Sequence, residues 1–137
     1  MAARYFADSF YWIALANPKD AFHGPALVWE ASHVGATLIT TEEVLAEVLT
    51  WFAGAGPSGR GQAAKTVRDI LSDATCQVLP HTSADFHAAL GLYEARPDKS
   101  YSLVDCRSML ALKALGISEV LTNDHHFVQE GFNIVFP

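Results

Sequence analysis

Several things are scarce in this sequence, and each scarcity removes a class of function. No window of the 137 residues approaches the ~20 consecutive apolar side chains that cross a bilayer, so no membrane-spanning role and no membrane partner are expected. The opening residues MAARYFADSF lack a charged-then-apolar leader with a cleavage site, so export is not expected either. Cysteine is limited to Cys76 and Cys106, both inside apolar, element-like segments. They read as reduced core thiols of a cytoplasmic protein, not as a disulfide. Basic side chains are few: nine Lys and Arg against fifteen Asp and Glu leave a formal charge of −6. That sign is wrong for an ordinary nucleic-acid surface. Repeats, charge runs and low-complexity tracts are missing, and no shift in composition marks a boundary. The length fits a single domain, residues 1–137, with one real core.

The common catalytic motifs are missing too. His23, His33, His81, His87, His125 and His126 fall in no H-E-x-x-H or other dense zinc spacing, and the two cysteines are too isolated to complete a zinc set. His125 and His126 stand beside Asp124, yet no spacing assigns either a role. Gly54 to Gly59 matches G-x-G-x-x-G, but it follows a helical pattern where the dinucleotide fingerprint needs a strand. It reads as a flexible loop, and no Walker lysine follows it. Gly56-Pro57-Ser58-Gly59-Arg60 does not fit the G-x-S-x-G elbow of a serine nucleophile.

What is present is an alternation of short apolar runs and capped helical patterns. Arg4 to Ala7 reads as a buried strand and Ser9 to Ala16 as a helix closed by Asn17-Pro18. Asp20 to Gly35 reads as a helix with Leu27, Val28, Ala31 and Val34 at helical spacing and Gly35 past its end. Thr37 to Ile39 is a β-branched strand. Thr40 with Glu43 matches a capping box opening a helix through Phe52, whose stripe is Val44, Leu45, Val48, Leu49 and Phe52. Ala53 to Gly61 is expected as a loop, Gln62 to Leu71 as a helix and Cys76 to Leu79 as a strand. Thr82 with Asp85 opens a helix to Arg96, and Pro97 to Lys99 is a loop. Ser102 with Asp105 opens a helix ending at Leu115-Gly116. Val120 to Thr122 is a strand, Asp124 to Gln129 a short helix and Asn133 to Phe136 a last strand. Strands alternating with helices imply an α/β fold: a central, mostly parallel sheet of four or five strands between helical layers.

The acids carry the chemical signal. Asp8, Glu43, Asp85, Asp105 and Asp124 all stand at expected helix starts, where a carboxylate can serve simply as a cap. Position singles out three of them. In a parallel sheet, strand C-termini and the following helix N-termini share one edge, and ligands bind there. Asp8 and Asp124 each follow a strand, and Asp105 opens the helix feeding the neighbouring strand. Glu47 is no cap, yet it borders an apolar stripe, where an unpaired carboxylate is costly. Two like charges ~4 Å apart cost about 4 kcal/mol at an effective dielectric near 20, and a divalent cation removes that cost. All-oxygen ligands select Mg2+ or Mn2+ over zinc. Withdrawing four acids as ligands leaves eleven against nine bases, which accounts for much of the charge excess. An acidic metal cluster without a Walker loop or histidines points to phosphodiester hydrolysis.

The pattern resembles the PIN domain family, in particular the VapC-type toxin ribonucleases. The residues that carry the likeness are Ala7-Asp8-Ser9, Val44-Leu45-Ala46-Glu47, Tyr101-Ser102-Leu103-Val104-Asp105-Cys106 and Leu121-Thr122-Asn123-Asp124-His125-His126-Phe127, with Gly116-Ile117 and Gly131-Phe132. The resemblance spans nearly the whole chain. It implies a metal-dependent endoribonuclease with a three-layer PIN-like fold, whose acidic quartet falls on Asp8, Glu47, Asp105 and Asp124. It implies Ser9 and Thr122 as hydroxyls flanking the site and Asp98 as an acid beside it. It further implies an RNA substrate, a cognate antitoxin whose Arg or Lys enters the acidic pocket, and a homodimer, with Trp29 and Trp51 as contributors or as core residues. Two other readings are weaker. A non-catalytic RNA- or protein-binding module on the same fold leaves the intact quartet unexplained. A receiver-like phosphoacceptor domain needs a second acid beside Asp8 and a lysine after a late strand, and neither is there.

Overall fold

The computed structural model describes residues 2–137. Arg4–Ala7 forms β1 and Ser9–Ala16 forms α1. The next helix, α2, is His23–Ser32, shorter than the 20–35 expected from spacing. The Asp20 carboxylate accepts the Phe22 N–H at 2.8 Å and holds residues 20–22 in a turn. At the other end Ser32 Oγ donates to the carbonyls of Val28 and Trp29, so the helix stops before Gly35. The expected inward stripe of α2 faces outward: Leu27 and Val28 are exposed, while Ala26 is buried. Trp29 decides the orientation. Its ring stacks on His33 with centroids 4.1 Å apart and meets Tyr5 and Tyr11 edge-on. Trp29 thus packs within the fold, whereas Trp51 stands exposed.

Thr37–Thr41 is β2 and Glu42–Trp51 is α3. The strand runs two residues further than expected, and Thr41, not Thr40, caps α3 by accepting the Val44 N–H at 3.1 Å. Thr40 instead donates to the Ala7 carbonyl at 2.9 Å and ties β2 to the end of β1. Glu43 does not close a capping box; its carboxylate pairs with Arg107 at 2.9 Å. The α3 stripe buries Val44, Leu45, Val48 and Phe52 and leaves Leu49 exposed.

The glycine-rich stretch is the clearest departure. Gly56–Ser72 is one long helix, α4, so most of the expected 53–61 loop is helical. Pro57 in its first turn is pre-set for helical φ and lacks the N–H that would go unpaired there. Gly59 is required by packing, because a Cβ there would lie 2.5 Å from Ala55 Cβ. Four glycines in this segment masked the helix by their low propensity, and tertiary packing overrides it.

Cys76–Leu79 is β3, Ser83–Ala95 is α5 and Leu103–Leu115 is α6. Gly116 ends α6 in the left-handed region at φ 67°. Glu119–Leu121 is β4, His126–Gln129 is α7, starting two residues later than expected, and Asn133–Ile134 is β5. All five strands pair in parallel, in the order β3-β2-β1-β4-β5. Helices α1 to α4 pack on one another, as do α5 and α6. Phe6, Ile39, Val120 and Leu121 on the strands are buried against Tyr11, Val44, Val48, Met109 and Leu112. Both cysteines are free, with Cys106 buried and Cys76 half-buried.

Chain direction reverses across the sheet between β1 and β4. One path runs outward from β1 through β2 to β3, and the other from β4 to β5. Loops diverge at such a switch point and leave a crevice beyond the strand C-termini.

Candidate active site

That crevice collects the acids. Ala7 is in register with Leu121, so the residues after β1 and β4 emerge side by side. Asp8 is 6% exposed, and its Oδ2 accepts the Thr122 hydroxyl at 2.9 Å. The Thr122 oxygen in turn accepts the Asp124 N–H at 3.1 Å. One buried hydroxyl therefore fixes two of the carboxylate-bearing loops. Asp105 sits at the third helical position of α6 and closes a full capping box with Ser102: its Oδ2 accepts the Ser102 N–H at 2.9 Å. The cap consumes one carboxylate oxygen and orients the other. Asp124 Oδ1 likewise accepts the His126 N–H at 2.9 Å. Among the described residues no hydrogen bond reaches Asp105 Oδ1 or Asp124 Oδ2. Glu47 comes from the second turn of α3, across β1, with the Ser9 hydroxyl beside it.

Electrostatics ties the four together. Burial pushes the Asp8 carboxyl up to about 7, against the pull of Thr122 and the Ser9 N–H; Asp105 and Glu47 push it further. Glu47 is raised chiefly by burial, and Asp105 and Asp124 add to it. Asp105 is raised chiefly by burial, with Asp124 adding. No Lys or Arg among the described residues forms an ion pair with any of the four. The arrangement is a half-buried pool of negative charge that lacks a counter-charge, which is what a hard divalent cation supplies.

The sequence reading left His126 without a role. Its Nδ1 lies 3.0 Å from Asp124 Oδ1 and 3.8 Å from Asp105 Oδ2. The nitrogen is buried and makes no well-aligned hydrogen bond. Asp105, Asp124 and His126 offer ligand atoms that all lie within 4.8 Å of one another. The signal was the Asp124-x-His126 turn, in which the side chain two residues on is folded back over the carboxylate.

The remaining expected residues divide. Ser9 and Thr122 are in the site. Asp98 is not brought to it: it is exposed and pairs with its neighbour Lys99 at 3.4 Å. Asp85 and Glu43 serve Arg107, whose guanidinium bridges them at 3.3 and 2.9 Å and reaches the Pro80 carbonyl. A second network was invisible to spacing arguments. Glu130 is held by Arg96 and Lys113 at 2.7 and 2.9 Å, which keeps its carboxyl near 2. These contacts brace the fold around α6; they are not chemistry.

Comparison with known proteins supplies the family. The PIN domain model matches residues 5–132. The chain belongs to the PIN domain family. Over 133 residues this PIN domain chain is 32% identical to the 23S rRNA-specific endonuclease VapC20 of Mycobacterium tuberculosis strain H37Rv, covering 96% of this chain and 98% of that protein. The crystal structure of M. tuberculosis VapC20, described as a sarcin-ricin loop cleaving toxin, superposes with a TM-score of 0.83 at 26% identity, covering 94% of this chain and 96% of that one. PAE2754 from Pyrobaculum aerophilum shares the fold with a TM-score of 0.63 at 18% identity, over 98% of this chain and 92% of that chain. The expected three-layer α/β architecture and parallel sheet are those of this PIN domain.

Proposed function

We propose that this protein is a cation-dependent endoribonuclease of the VapC toxin type that cleaves a structured ribosomal RNA. The observation that carries the reading is the convergence of Asp8, Glu47, Asp105 and Asp124 at the switch point between β1 and β4, where burial and neighbouring carboxylates raise Asp8, Glu47 and Asp105. Full-length identity to a 23S rRNA-specific endonuclease supports the substrate class. Mg2+ or Mn2+ fits the donor set, since carboxylate oxygens favour hard cations.

A cation held by Asp8, Glu47, Asp105 and Asp124 would supply charge for the scissile phosphate and would lower the pKa of attacking water. This chain's part is to hold the donors still. Thr122 and the Ser102 cap fix the orientation of the Asp8 and Asp105 carboxylates. Ser9 steadies Glu47. His126 leans over Asp124 and Asp105 and is in place to position a proton or a water at the cluster's rim. The buried setting strengthens each of these interactions relative to water. No protein nucleophile is required.

The family match and a sheet built from both ends of the chain support one catalytic domain over 1–137. A cognate antitoxin that places a guanidinium in the acidic pocket agrees with the bidentate preference of Arg for carboxylates. A homodimer agrees with exposed apolar side chains on the helices, Val28 and Leu71 among them. Cytoplasmic action agrees with two free thiols. The non-catalytic module gains no support from any observation here.

The test is to incubate the protein with intact ribosomes and with free 23S rRNA in Mg2+ or Mn2+. Primer extension maps the cuts. Discrete cleavage that stops in excess EDTA is expected. Cleavage that persists in EDTA overturns the cation requirement, and an intact RNA panel overturns the reading.

A further inference from the structure

A groove of about 500 Å³ opens directly beside the acids, between α1, α3 and the start of α6. Ser9 and Glu47 form its inner end, Ile13, Ala46 and Val104 its walls, and Trp51 its outer end. The size is that of a ligand cleft. Glu47 and Trp51 are four residues apart on α3, so both project from one face of the helix. Trp51 is 56% exposed, an unusual position for so large an apolar side chain. It is exposed but not loose. The buried Phe52 ring meets it edge-on with centroids 4.8 Å apart, and Arg60 secures the chain just beyond by donating to the Ala53 carbonyl at 2.9 Å.

We infer that this groove seats an unpaired nucleobase of the RNA, stacked on the Trp51 indole, next to the phosphate presented to the acids. The inference rests on the ribonuclease reading and deepens it. Two observations select a base over other occupants. The groove is continuous with the carboxylate cluster through Ser9 and Glu47, so whatever fills it is attached to what lies at the acids. The chain also has little charge with which to hold a polyanion. Of its nine Lys and Arg, five (Lys65, Arg96, Lys99, Arg107 and Lys113) are already paired with carboxylates. Affinity that phosphate contacts do not provide has to come from elsewhere, and base stacking on an aromatic face provides it without a basic surface. Stacking needs a base that has left its helix, so the subsite selects a loop or bulge over a continuous duplex.

Intrinsic tryptophan fluorescence tests this without cleavage. In EDTA the parent is titrated with a mixed-sequence single-stranded 12-mer RNA and with an abasic oligomer of the same length. Trp12 is buried and Trp29 half-buried, so a contact-quenched signal belongs to Trp51 and is absent from Trp51→Phe. Quenching by the base-bearing oligomer alone is expected, with Trp51→Ala losing at least tenfold in affinity and Trp51→Phe, read by anisotropy of labelled RNA, less than threefold. In cleavage assays Trp51→Ala is expected to raise KM about tenfold with kcat within twofold. Equal affinity of parent and Trp51→Ala for the RNA, or equal quenching by the abasic oligomer, overturns the subsite. So does a Trp51→Ala variant that turns a sedimenting dimer into a monomer while binding RNA unchanged. A protein that binds RNA through Trp51 but cuts none leaves the subsite standing and removes the ribonuclease reading. Cleavage indifferent to Trp51 does the reverse.

Discussion

At Asp8 the protein works against its own folding. The carboxyl ionises near 3.8 when unfolded and near 7 in the folded, cation-free chain. Between those values the folded state holds a proton that the unfolded state has lost. This contribution to stability is therefore complete below about pH 4 and is lost as pH rises towards 7. By linkage, a shift of that size corresponds to a loss on the order of 4 kcal/mol. Asp8→Asn keeps an acceptor for Thr122 and removes the charge. The variant should melt higher than the parent at pH 8 without cation and match it at pH 4. Saturating Mn2+ should raise the parent's Tm more at pH 8 than at pH 5, and more than it raises the variant's. An Asp8→Asn protein that melts lower at pH 8 would mean that the carboxylate is held by contacts stronger than its repulsion.

Asp105 joins two roles that the sequence left as rivals. It caps α6 through Oδ2, and that same oxygen lies 3.8 Å from the His126 ring beside Asp124. Capping does not exclude ligation, since a cap fixes the rotamer that a ligand would need. Asp85 offers the contrast, because its carboxylate serves Thr82 and Arg107, away from the crevice. Asp85→Asn should leave cleavage within twofold of the parent and lower stability by less than about 1 kcal/mol, in keeping with a half-exposed ion pair. A tenfold loss of cleavage in a folded Asp85→Asn would place that acid in the site.

Among the elements, α4 is the one that the sequence concealed, and its glycines are not equivalent. Gly61 has nothing within 4 Å of where a Cβ would stand, whereas a Cβ at Gly59 would strike Ala55 at 2.5 Å. Alanine is the better helix former by about 1 kcal/mol. Gly61→Ala should therefore stabilise the protein by about 0.5–1 kcal/mol, while Gly59→Ala should destabilise it despite its better propensity. Chemical denaturation of the pair separates the two effects. Equal shifts in both variants would contradict the close approach at Gly59. At the end of α6, Gly116 has open space around it but a φ of 67°, so Gly116→Ala should cost about 1–2 kcal/mol through backbone strain alone.

Over the whole molecule, legibility follows the range of the interactions involved. The three central strands were readable because each is a short apolar or β-branched run with its end buried in a parallel sheet; the edge strands β3 and β5 are only partly buried. The capping box at Ser102 was readable because a cap is a contact three residues long; at Thr82 only the cap forms, since Asp85 accepts the Thr82 hydroxyl and not its N–H. Asp8, Asp105 and Asp124 were readable because strand ends in such a sheet share an edge. Contacts between distant segments were not readable. The sequence alone does not reveal that Arg107 reaches Glu43, that Glu130 gathers Arg96 and Lys113, or that Trp29 turns α2 so that Val28 faces out. His126 was missed for a different reason: its approach to Asp124 and Asp105 follows from how the Asp124-x-His126 turn folds, a weaker signal than a capping box. The α4 glycines misled because propensity is local and packing is not.

If the four acids form one cation-dependent RNA-cleaving centre, the Asp105→Asn variant exposes it. Asn caps about as well as Asp, so the α6 terminus survives while one charge and one hard oxygen ligand are removed. The variant should fold as well as the parent or better in the absence of cation. Its Mn2+ affinity by calorimetry and its cleavage of 23S rRNA should fall together, each by at least tenfold, or about 1.4 kcal/mol in transition-state stabilisation. Glu47→Gln should behave alike. A well-folded Asp105→Asn that binds Mn2+ and cleaves RNA as the parent does would contradict such a centre.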